Sequence, residues 1–172
     1  QEGVPEFGPD GRIYPGTCRH RSLSQARPGD ALRLDMRKAV KALQKPVTYE
    51  EFREQHSKRI TLKAEVLIAQ VGDVVLRRKD QGAAYHLAVV IDDDAQNITD
   101  VVRGADLNAA TQIHVVLQQL LNIPTPRYHH HSLIRDETGK RLAKRSDSEA
   151  LSSLRKAGHS AQDITERLFS AP

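Results

Sequence analysis

The sequence predicts an α/β fold built on parallel strands. Three observations carry that expectation: an apolar segment without alternation from Tyr85 to Asp92, a strand, turn and amphipathic helix in succession from Ile98 to Leu121, and a proline-marked return to an extended segment at Ser132 to Ile134. An apolar run without alternation suits a strand covered on both faces, and strands joined through a helix are parallel neighbours.

Taken in order, residues 1–30 are rich in Gly and Pro and lack periodicity, which predicts a loop-rich connector. Thr48-Tyr49-Glu50-Glu51 reads as a capping box, with Val47 and Phe52 as its hydrophobic staple, and predicts a short helix from about Tyr49 to His56. Glu65–Gln70 and Asp73–Arg78 read as two strands joined by a tight turn at Val71-Gly72. Ile98–Arg103 is a further strand, and Gly104-Ala105-Asp106 a turn. The helix expected over Asn108–Leu121 sets Ala110, Ile113, Leu117, Leu120 and Leu121 on one face, with Asp106 or Asn108 as its cap. A basic loop follows at Arg141-Leu142-Ala143-Lys144-Arg145. Ser146-Asp147-Ser148-Glu149 is a second capping box, whose helix reaches about Ala157 with Gly158 as its C′ residue, and a last helix spans about Ala161–Phe169. Domain boundaries are expected near 72 and 135: a connective subdomain (1–72), the main α/β unit (73–135), and the basic loop with C-terminal helices (136–172).

The 172 residues are 38% hydrophobic and 28% charged, enough for one core with a small appendage. The longest apolar run, Leu87–Ile91, is far too short for a membrane span or a signal-peptide core. A single cysteine, Cys18, excludes an internal disulfide and fits a reducing, cytoplasmic setting. The net charge of +4 is compatible with a polyanionic partner without requiring one.

Ligands of open parallel sheets bind beyond the carboxyl ends of the strands. Arg103 closes a strand just before a helix N-terminus, where a guanidinium can hold a carboxylate; the alternative is an ion pair with Asp92, Asp93 or Asp94. Tyr85 opens the apolar strand and would carry its hydroxyl to the rim, or simply pack there. Lys144, on a loop leaving a strand end, can stabilise a phosphoanhydride or lie in solvent. Of His129-His130-His131, strand alternation lets one point inward to bond near a ligand and leaves two exposed, so the three do not hold one metal. The aspartates 92–94 read as a strand end and turn. Tyr14 and Cys18 fall in one Tyr-Pro-Gly-Thr-Cys unit, too few donors for a metal site on their own. Neither a G-x-G-x-x-G motif nor a P-loop is present.

Together, the segments Ala84–Asp93, Ile98–Leu107, Tyr128–His131 and Arg141–Arg145 resemble the second half of the catalytic domain of the glutamyl-tRNA synthetase family, whose fold is Rossmann-like and whose "KMSKS" loop matches Arg141-Leu142-Ala143-Lys144-Arg145. Agreement is closest over about residues 73 to 146, and Tyr14–Cys18 adds a looser upstream match. Gly104-Ala105-Asp106-Leu107 follows the arginine where full synthetases tend to carry Gly-Asp-Asp-His, which resembles the paralogous branch lacking an anticodon-binding domain. The resemblance implies ATP-dependent activation of glutamate to glutamyl-adenylate. Transfer to queuosine in the anticodon of tRNA(Asp) would follow, by a monomeric enzyme using ATP with Mg²⁺. By position, Tyr85 and Arg103 correspond to the family's glutamate-binding residues. Lys144, with Arg141, Leu142, Ala143 and Arg145, corresponds to its ATP-binding loop, and Tyr14 and Cys18 to two of its four zinc ligands. The chain departs from the pattern in Ala143, where a serine is usual, and in lacking the paired cysteines that complete the zinc site. It also lacks a His-x-Gly-His segment, so the 172 residues alone are expected not to form the adenylate. Two other readings remain: a fragment of a synthetase that charges the tRNA acceptor end, and a non-catalytic RNA-binding relative of the fold.

Overall fold

The computed structural model describes residues 7–53, 56–79, 82–135, 139 and 150–170. They fall into two compact units, residues 1–131 and residues 132–172. The first is a four-stranded sheet, covered by helices, with short strand pairs beside it.

Two short strands, β1 (Phe7–Gly8) and β2 (Gly11–Arg12), form a small hairpin with Asp10 in its turn. Strand β3 (Leu32–Leu34) leads into helix α1 (Met36–Ala42), which opens on Asp35; that carboxylate accepts from the Lys38 amide at 3.1 Å. Neither element was expected from the sequence.

Val47–Arg53 and His56–Leu62 form an antiparallel hairpin, β4 and β5, which corrects the helix expected over Tyr49–His56. Val47, Tyr49 and Glu51 are buried while Glu50 is exposed, a period of two. Burying β-branched and aromatic side chains in the core outweighs the local capping box. The strand expected at Glu65–Gln70 is also corrected: Ala64–Val66 (α2) and a wider π turn over Leu67–Val71 are helical, with Leu67 and Val71 buried four residues apart. Gly72 ends that helix at φ +69°, its amide bonded to the Leu67 carbonyl at 2.9 Å. Strand β6 (Val74–Arg77) lies within the extended segment expected there, antiparallel to β3.

Tyr85–Ala95 is helix α3, not a buried strand, so Tyr85 opens a helix and the 92–94 aspartates lie in its last turns. Its buried positions, His86 and Val90, lie four residues apart, a helical spacing. A five-residue apolar run reads alike as either structure, and here the neighbours decided.

Strand β7 (Asp100–Gly104), helix α4 (Asn108–Leu121) and strand β8 (Arg127–His131) form a parallel strand–helix–strand unit. β8 lies before the expected Ser132–Ile134, which is not a strand. The sheet order is β5-β4-β8-β7, with β4, β8 and β7 mutually parallel and β5 antiparallel. Helix α4 has the expected bounds and buries Ala110, Ile113 and Leu117, whereas Leu121 is 43% exposed. Its N-cap position is Leu107 with no side-chain cap, so neither Asp106 nor Asn108 caps it. The core joins Met36, Val47, Tyr49, Leu67, Val90 and Ile113 with other side chains of the same unit.

In the second unit, helix α5 (Leu151–Lys156) ends before Gly158 at φ +93°. Helix α6 (Ala161–Ser170) starts with a reciprocal cap: the Asp163 amide donates to Ser160 Oγ and the Ser160 amide to Asp163 Oδ2. The capping box at 146–149 lies outside the described residues.

Candidate functional site

Parallel strands β7 and β8 present Arg103 and His130 as register neighbours near their carboxyl ends. Alternation along β8 buries Tyr128 and His130 and leaves His131 exposed. His129 is half-buried, bonded to Asp100 at 3.0 Å and stacked on Phe52. Helix α4 contributes Asn108, Thr111 and His114, spaced by three and so stacked along one face. The first turn of α3 adds His86, whose Nδ1 lies 3.0 Å from His114 Nε2.

Arg103 is the centre of this group. Its Nε donates to His130 Nε2 (3.2 Å), its Nη1 to His114 Nδ1 (3.1 Å), and its Nη2 to the Leu107 carbonyl (3.2 Å) and Thr111 Oγ1 (2.6 Å). The Tyr128 ring lies 5.1 Å from its guanidinium carbon. A guanidinium has five N–H groups, so among the described residues these bonds leave one on Nη1. None of these partners is a carboxylate, so the alternative ion pair with Asp92, Asp93 or Asp94 does not form. Asp93 nonetheless feels the charge: burial raises its pKa, the Arg103 charge opposes that rise, and Asp92 adds to it.

The carboxylates lie further out, Glu51 beyond one imidazole and Asp10 beyond two. Asp10 Oδ1 is 3.3 Å from His86 Nε2, and Glu51 Oε1 is 3.4 Å from His130 Nδ1 and 2.7 Å from Asn108 Nδ2. Burial pushes Asp10 up, but the His86 bond, the Val75 amide and the charges of His86 and Arg33 outweigh it and leave its pKa lowered. Burial, helped by the charges of Arg103 and His86, drives His114 down to about 3, so its ring is neutral at pH 7. The Tyr128 hydroxyl, buried and bonded to Gln118, is pushed up to about 12.

Tyr85 is 47% exposed, and its ring packs edge-on to His86 (5.3 Å) and His114 (5.9 Å). It lines a cleft of about 410 Å³ with Asp10, Arg78, Lys79 and His86. Tyr85 and Arg103, picked out from sequence, thus both contact the His114 ring. Lys144, Arg141, Leu142, Ala143 and Arg145 lie outside the described residues. Tyr14 and Cys18 are adjacent, the Tyr14 hydroxyl accepting the Cys18 amide. Among the described residues no three His, Cys, Asp or Glu side chains are grouped to hold a metal ion.

Sequence reasoning missed Asp10, Glu51, His86, Asn108, Thr111 and His114. The available signal was on α4: Thr111, His114 and Gln118 interrupt its apolar face, and buried polar groups there need partners.

A model of the catalytic domain of class I tRNA synthetases (E and Q) matches residues 21–169, and the chain belongs to that family. Two relatives narrow the likeness. The glutamyl-Q tRNA(Asp) synthetase of Rhodobacter capsulatus is 50% identical over 167 residues, covering 95% of this chain and 58% of that protein. That of Albidiferax ferrireducens is 38% identical over 151 residues, covering 81% of this chain and 48% of its own. The chain thus spans about half the length of the curated relatives it matches. A solved glutamate tRNA ligase from Elizabethkingia meningosepticum, in complex with its amino acid, aligns over 77% of this chain and 21% of its own at 24% identity and a TM-score of 0.42. Among the described residues, no helix is long and apolar enough to cross a membrane.

Proposed function

We propose that this chain carries the glutamate-binding half of a glutamyl-Q tRNA(Asp) synthetase. That enzyme activates glutamate with ATP and transfers it to queuosine in the tRNA(Asp) anticodon. The observation that carries the reading is Arg103: a guanidinium near the carboxyl ends of parallel strands, with one N–H unspent and no carboxylate bonded to it among the described residues.

A substrate carboxylate is the partner such a cation lacks. One Nη1–H binds it at a single point, and a two-point grip requires Arg103 to release one protein acceptor. The Tyr85 hydroxyl, at the cleft beside the same His114, would be the second reader of the amino acid. Glutamine, neutral at its side-chain end, would leave Arg103 poorly paired and be rejected on that account. ATP would enter with Mg²⁺. Lys144, in the segment Arg141–Arg145, would meet the charge that builds on departing pyrophosphate, a contact stronger in the transition state than before it. The proposed division into a connective part (1–72), an α/β part (73–135) and a loop-and-helix part (136–172) assigns glutamate to the second and ATP to the third.

The test is glutamylation by the protein in the form the cell makes it, with tRNA(Asp) containing queuosine and with tRNA(Glu) as competing acceptors. Label from glutamate is expected on the first alone, at the anticodon. Label at the 3′ end of tRNA(Glu) would assign the chain to an acceptor-charging synthetase. RNA affinity with no glutamate binding would make it a non-catalytic relative.

A further inference from the structure

We propose that His114 and His86 are positioning residues for Arg103, forming a one-way chain of hydrogen-bond donors from its guanidinium to Asp10 that holds Nη1 for a ligand carboxylate. This deepens the reading of Arg103 as a carboxylate binder and rests on it.

The direction of the chain follows from donor inventory. Arginine only donates, so His114 Nδ1, 3.1 Å from Nη1, is the bare nitrogen of that ring. A neutral His114 then carries its proton on Nε2 and donates it to His86 Nδ1 at 3.0 Å. His86 is bare there in turn, carries its proton on Nε2, and faces Asp10 Oδ1 at 3.3 Å. Every link has one donor and one acceptor, and reversing any ring sets two protons or two lone pairs against each other. A second arm runs from Arg103 Nε to His130 Nε2, and His130 Nδ1 lies 3.4 Å from Glu51 Oε1 and 3.3 Å from Asn108 Nδ2.

Both arms set imidazole, not a carboxylate, directly against the cation. An acid bonded directly to Arg103 would hold it just as firmly, but would compete with the substrate's own carboxylate for its charge. An imidazole supplies the acceptor without the charge, so the guanidinium is fixed and remains a full cation. Burial of His114, in contact with the Tyr85 ring, keeps that ring neutral and ties the orientation of both proposed glutamate readers to one side chain.

Nitrogen-15 NMR of the histidine rings tests the wiring in the unsubstituted protein. At pH 7 both His114 and His86 are expected as neutral Nε2–H tautomers; an Nδ1–H tautomer or an imidazolium at His114 would overturn the proposal. Glutamate titration then compares two variants. His114→Leu, which has no acceptor for Nη1, is expected to weaken glutamate binding about ten-fold or more, the loss usual for a charge-assisted bond. His114→Asn, whose side-chain oxygen can stand where Nδ1 stood, is expected to restore most of it. Equal loss in the two, or loss in neither, would overturn the positioning role. Arg103→Met separates the two claims. If it binds glutamate as well as the unsubstituted protein, the carboxylate reading fails and the positioning role falls with it; if it loses glutamate while His114→Leu keeps it, only the positioning role fails.

Discussion

Arg103 and His114 show how burial and proton inventory set the behaviour of single side chains. Lysine at 103 would keep the charge but lose the planar fork that reaches His130, His114, Leu107 and Thr111 together. Arg103→Lys is therefore expected to weaken glutamate binding by about 1.5–3 kcal/mol, read by calorimetry. His114 has a second, independent signature in stability. Its pKa is about 3 when folded, against 6.5 for an unperturbed ring, so between those values the unfolded chain binds the extra proton. Stability from this group is complete above about pH 6.5 and is lost as the pH falls towards 3. The slope is on the order of 1.4 kcal/mol per pH unit inside that window. Urea unfolding at pH 7 and pH 5 should show it, and His114→Asn should flatten the difference. Asp10 does not contribute between pH 7 and pH 5, because a lowered carboxylate loses its stabilisation only below about its ordinary value of 3.8.

Among the elements, the helix over Leu67–Val71 ends where only glycine fits. Gly72 has φ +69°, and a Cβ on it would come within 2.8 Å of Ile13 Cγ2. Gly72→Ala is expected to cost about 1–3 kcal/mol, measured by thermal or urea unfolding. The turn at Val71-Gly72 was legible from the glycine; the helix before it was not, because Glu65–Gln70 is too short for its period to declare itself. Helix α4 was legible to the residue, since fourteen positions of one periodicity leave little choice. Local signals misled where they were strong but brief. Thr48 and Glu51 form a good capping box in isolation, yet Val47 and Tyr49 gain more by joining the core from a strand, and Glu51 instead meets Asn108 and His130. The run Leu87–Ile91 satisfies strand and helix alike; its helical state is what brings His86 to His114.

On the scale of the whole molecule, every buried side chain of the main hydrophobic cluster among the described residues lies between Met36 and Tyr128. Removing residues 132–172 should therefore leave a cooperatively unfolding protein with its glutamate-binding residues in place, while deleting the proposed ATP loop. Calorimetric unfolding and glutamate titration of the truncated chain check this; a non-cooperative transition would count against it. The sequence by itself determined the α/β class, the β7–α4 succession, Arg103 at a strand end and the family resemblance, because each rests on a local pattern or a local run of residues. Only the tertiary structure decided that β4 is a strand beside β8, that Tyr85 opens a helix, and that Asp10, His86 and His114 line up behind Arg103. Those residues are separated by tens of positions in the chain. Their hydrogen bonds exist only once the packed core has brought four elements together, and no local spacing records that.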